Sequence, residues 1–146
     1  MAAETVEIPI LWPAEALRVN VLTPYAILSR QASELSRMTK GVLRGEVAKV
    51  DQSREIGETE LQFDVVAPAL GNVRRRIATI VHAKDAVYPA TIRELPKRDG
   101  FAATEEEFMK LLKDRLQVGD VVSTLQSLIA QSGESSAAKP APAYVL

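Results

Sequence analysis

The stretch from Glu60 to His82 constrains the fold more than any other part of the chain. Leu61, Phe63 and Val65 alternate with Gln62 and Asp64, the two-residue period of a strand with one buried face. Pro68-Ala-Leu-Gly-Asn72 supplies turn residues, and Val73 to His82 reads as the returning strand. Strands joined by a loop this short pair antiparallel. The sheet type is therefore fixed here, and the flanks decide the class.

Thr23-Pro24 is a helix start, with a capping hydroxyl followed by proline at the first helical position. Leu28, Ala32, Leu35 and Met38 recur at helical spacing up to a stop at Gly41. Val42–Val50 reads as a strand with Leu43 and Val47 on one face, and Asp51–Thr59 as a polar hairpin loop. Tyr88, Ala90 and Ile92 suggest a shorter fourth strand, placed at an edge because Pro89 cannot donate to a ladder. Thr104-Glu105-Glu106-Glu107 is a capping box before the apolar stripe Phe108, Leu111, Leu112, Leu116. Gly119-Asp120 opens a second helix bearing Val121, Val122, Leu125, Leu128 and Ile129.

The fold expected is α+β: a four-stranded antiparallel meander with a long N-terminal helix and a C-terminal helical hairpin. Residues 1–22 form an extended arm, 23–131 a single domain, and 132–146 a flexible or docking tail of Gly, Ser, Ala, Lys and Pro. The 146 residues suffice for one core without cross-links, and the lack of cysteine removes disulfides and thiolate chemistry together. No apolar run reaches the ~18–20 residues that span a bilayer. Met1-Ala-Ala-Glu-Thr5 lacks the basic start of a secretory leader, so a soluble, cytoplasmic protein is expected.

Catalytic signatures are sparse. His82 is the only histidine, and no HExxH, GxSxG, GxGxxG or Walker pattern is present. Neither a cofactor nor an enzymatic activity is expected. A net charge of −1 gives no global attraction to nucleic acid. What remains is local. Strand alternation puts Arg75 on the core side with Val73, Ile77, Thr79 and Val81, and leaves Arg74, Arg76 and His82 as a cationic file on the outer face. A five-residue loop sets Asp64 opposite Arg76, as a cross-strand ion pair that also discourages edge pairing. Trp12, the only tryptophan, reads as a plug over the core or as an anchor on a partner; Tyr144-Val145-Leu146 reads as a docking end after a polar spacer. The functional expectation is an interaction or assembly module, a subunit, adaptor or inhibitor-type partner. It would bind a protein or a second copy through Arg74, Arg76, His82, Trp12, Tyr144, Val145 and Leu146. Nucleic-acid or phosphate binding by the arginine face, helped by Arg44, is the alternative. The lack of exposed aromatics on that face weighs against it.

Overall fold

Capping begins the first helix as its sequence demands. Thr23 Oγ1 accepts from Ala26 N at 3.1 Å, and α1 runs over Pro24–Met38. The computed structural model describes residues 7–50, 57–93 and 99–137. After α1 come five strands in sequence order, β1 (Arg44–Val50), β2 (Glu58–Ala67), β3 (Val73–Ala83), β4 (Ala86–Arg93) and β5 (Gly100–Ala102). Every neighbouring pair is antiparallel, so the sheet is a simple meander. Helices α2 (Glu105–Leu116) and α3 (Gly119–Ala137) follow, the last elements among the described residues. Thr104 caps α2 by accepting from Glu107 N at 3.2 Å. Glu107 Oε1 reaches back to Ala103 N, one residue before the cap.

The architecture is α+β, as the sequence implies, but with five strands rather than four. Gly100-Phe-Ala102 is too short for its period to be legible. It nonetheless covers β4, pairing Ala90–Ile92, so Pro89 does not mark an edge strand. Pro89 falls where the β3–β4 ladder shifts between His82 and Ala83, outside the residues that β5 pairs. The helix layout also differs in detail. α2 and α3 follow one another across Gln117 and Val118 and touch, but α2 lies chiefly on β4 and β5 while α3 lies chiefly on the 3-10 turn Pro68–Leu70. α3 continues through Ala137, so a tail boundary at Ser132 falls inside a helix; Ser132 is buried and its hydroxyl donates to Leu128 O.

One core lies between the helices and one face of the sheet. Leu28, Leu43, Leu61, Ile80, Ile92 and Phe108 are fully enclosed there. α1 approaches β1 so closely that only glycine fits at position 45. A Cβ there would stand 2.5 Å from Ala32 Cα. No helix among the described residues is long and apolar enough to cross a membrane.

Candidate interaction site

The arginine strand does not keep a single phase. Phe63 pairs with Ala78, but Asp64 pairs with Arg76, so Ile77 is an extra residue on β3. Such a bulge reverses the inward and outward sense of everything beyond it. Before it, the expected alternation holds: Arg74 and Arg76 face outward beside Asp64. After it, Ile80 and His82 turn to the core side, and Thr79 and Val81 turn outward. His82 therefore leaves the cationic file. It is 9% exposed, and its Nδ1 lies 2.7 Å from Ala83 O. Ile77 itself has its carbonyl taken by Arg115 Nε at 2.8 Å, a contact from the end of α2 that strand alternation gives no means of finding.

On the outer face the charges are matched. Arg76 Nε donates to Asp64 Oδ1, and Arg76 Nη2 donates to Gln62 Oε1 at 3.1 Å. Arg74 Nη1 bridges Asp64 at 3.2 Å and Glu46 at 2.7 Å, and Arg44 pairs with Glu46 at 2.9 Å. Across the sheet, Arg93 stands 3.9 Å from Glu60. Asp64 is 6% exposed, while both its arginines keep almost half of their side-chain surface in water. The hydrogen bond from Arg74 holds Glu46 below the usual carboxylate range; partial desolvation opposes the fall and Arg44 adds to it. The same contacts, Glu46 before Asp64, raise Arg74.

Register places four arginines on this face, at 44, 74, 76 and 93, and four carboxylates, at 46, 58, 60 and 64. They cancel. Arg75 lies on the other face opposite Val65 and is exposed. Its Nη1 donates to Arg74 O, and it forms no ion pair among the described residues. The triplet also sits on the half of β3 that precedes its pairing with β4, which begins at Thr79. Among the described residues this half of β3 pairs on one side only, and charge on such a stretch discourages edge-to-edge association.

The unmet chemistry is apolar and lies at the N-terminus. Ile8, Ile10, Leu11, Trp12, Leu17 and Val19 are 69–89% exposed, and Val21 and Leu22 are about half exposed. Trp12 does not plug the core. A 3-10 turn, Ala14–Leu17, follows Pro13 and buries none of its own side chains. Among the described residues the arm is tied to the domain at its root: Leu22 N donates to Glu105 Oε2 at 2.8 Å, and Tyr88 Oη donates to Leu22 O at 2.7 Å. Burial, with the Glu105 charge second, pushes the Tyr88 hydroxyl up to about 12. Six large aliphatic or aromatic residues within twelve positions are legible in the sequence; their exposure is not.

At the far end of α1 an open apolar cleft of about 150 Å³ is lined by Leu35, Met38, Phe63, Ile77, Leu116 and Leu125, among others. Tyr144, Val145 and Leu146 lie outside the described residues. No group of three or more metal-ligating side chains occurs among the described residues. No protein-family model, curated protein or solved structure matches the chain.

Proposed function

We propose that this chain is a non-catalytic interaction or assembly module, and that its N-terminal arm is the principal contact element. The observation that carries this is the set of large apolar side chains of residues 8–22 standing in water. Leaving each unburied forgoes about 1.5–3 kcal/mol, and a concentration of them in one segment is the signature of a binding surface. Arg74 and Arg76 then serve the sheet rather than forming a binding site for anions. His82 takes no part in it.

The alternative, nucleic-acid or phosphate binding by the sheet face, is disfavoured by the four carboxylates that answer its four arginines. Salt separates the two readings. Association through an apolar arm persists or strengthens as salt rises, because screening leaves apolar burial intact. Binding to phosphates falls steeply. Light scattering on the purified chain, alone and with RNA or DNA, at low and high salt is the test. The expected result is a species larger than the monomer that survives high salt and is lost in Ile10→Ser/Trp12→Ser. A monomer at every salt, with nucleic-acid binding that collapses as salt rises, would contradict the proposal.

A further inference from the structure

The arm and the cleft lie on the same chain and match in chemistry. We infer that the arm of one copy, residues 7–22, seats in the cleft of a second copy, the exchange being reciprocal. This rests on the interaction reading above and names its partner.

Three observations carry it. First, both elements are left unpartnered among the described residues of a single chain. The cleft wall is almost wholly apolar, with Gln31 and Glu34 at its border, and Met38 on its rim is 71% exposed. Second, the arm does not occupy its own cleft although it has the length. Its root is fixed by Tyr88 and Glu105 beside the start of α1, while the cleft lies at the end of α1, about 20 Å away at 1.5 Å per residue. Twelve extended residues reach about 40 Å. The side chains nevertheless point into water. Third, the area suffices. Six large side chains, Ile8, Ile10, Leu11, Trp12, Leu17 and Val19, offering roughly 80 Å² each give about 500 Å² per arm. Two arms remove about 1,000 Å², and the cleft walls they cover add a comparable area, which reaches the range of specific dimers. Reciprocal exchange also closes the assembly as a two-fold dimer and leaves no open end.

The arm is suited to this role by its backbone. Pro9 and Pro13 fix φ and donate no hydrogen bond, and Pro13 is extended at φ −72°, ψ 137°. An arm pre-set in this way loses less entropy when it docks.

The test uses the full chain. A benzophenone side chain replaces Trp12, and copies labelled with heavy nitrogen are mixed with unlabelled ones before irradiation. The expected cross-links join a light and a heavy copy and fall on peptides containing Leu35–Met38 or Val121–Leu125. Two exposed substitutions that spare the core give a second readout by sedimentation velocity: Trp12→Ser spoils the arm, and Met38→Glu spoils the cleft. Each alone should be monomeric with an unchanged melting temperature. Mixing them should restore a dimer held by the one intact contact. Cross-links confined to a single copy, or no recovery on mixing, would overturn the exchange. If Trp12→Ser abolishes association while cross-links fall elsewhere on the second copy, the cleft assignment is overturned and the interaction reading stands. If the unaltered chain is monomeric and Trp12→Ser changes nothing, both are overturned.

Discussion

Asp64 is the residue on which the outer face turns. Its carboxylate is withdrawn from water and held by two guanidinium groups, each of which remains half solvated. Truncating one partner of a wholly buried ion pair costs about 3–5 kcal/mol. Here the released arginines fall back on water, so Asp64→Ala should cost only the charge-assisted hydrogen bonds, about 1–3 kcal/mol. A urea midpoint unchanged by the substitution would contradict that description. Tyr88 gives a second test, through pH. Burial raises its hydroxyl from 10.0 to about 12, so the folded state keeps a proton that the unfolded state releases. The contribution is complete below pH 10 and is lost as pH rises towards 12. Over that window the melting temperature of the unaltered chain should fall faster than that of Tyr88→Phe; parallel curves would refute the assignment. Asp64 and Arg76 were readable as a pair because turn length sets register. Arg115 was not, because its partner is a backbone carbonyl 38 positions away.

Among the elements, β3 shows where reading a sequence by period fails. Alternation assigns faces correctly only while the ladder runs without interruption. One inserted residue, Ile77, moves His82 from the solvent side to the core side while leaving the composition of the strand unchanged. Nothing in Arg76-Ile77-Ala78 announces a bulge. Helix starts were legible for the opposite reason: a capping hydroxyl, a proline or a glutamate three residues on is a local cause acting on its own segment. The packing of α1 on β1 depends on an absence, since Gly45 admits the helix backbone. Gly45→Ala would place Cβ 2.5 Å from Ala32 Cα and 2.7 Å from its Cβ. Overpacking of this kind costs about 1–3 kcal/mol. It outweighs the ~0.4–1 kcal/mol that a glycine-to-alanine change returns through the unfolded chain. The denaturation midpoint should therefore drop; a raised one would show that α1 can lift away freely.

At the scale of the whole molecule, one sheet separates two kinds of surface. The helix side is packed and apolar; the other side is a balanced mesh of arginines and carboxylates. The arm belongs to neither. The sequence displayed its apolar residues plainly, yet could not say whether they lay in the core or outside it, because that depends on whether the remaining chain closes the core without them. It does: the helices and the sheet enclose Leu28, Leu61, Ile80 and Phe108 unaided. The arm is thereby left exposed, and the proposal is that it serves association. Trp12, as the sole tryptophan, makes the emission excited beyond the tyrosine absorption band a report on this segment. The most direct measurement is its emission maximum and acrylamide quenching as the concentration of the full chain is raised. The account predicts a blue shift and growing protection from the quencher as copies associate. Red-shifted, fully quenchable emission at every concentration, from a chain that sediments as a monomer, would contradict it.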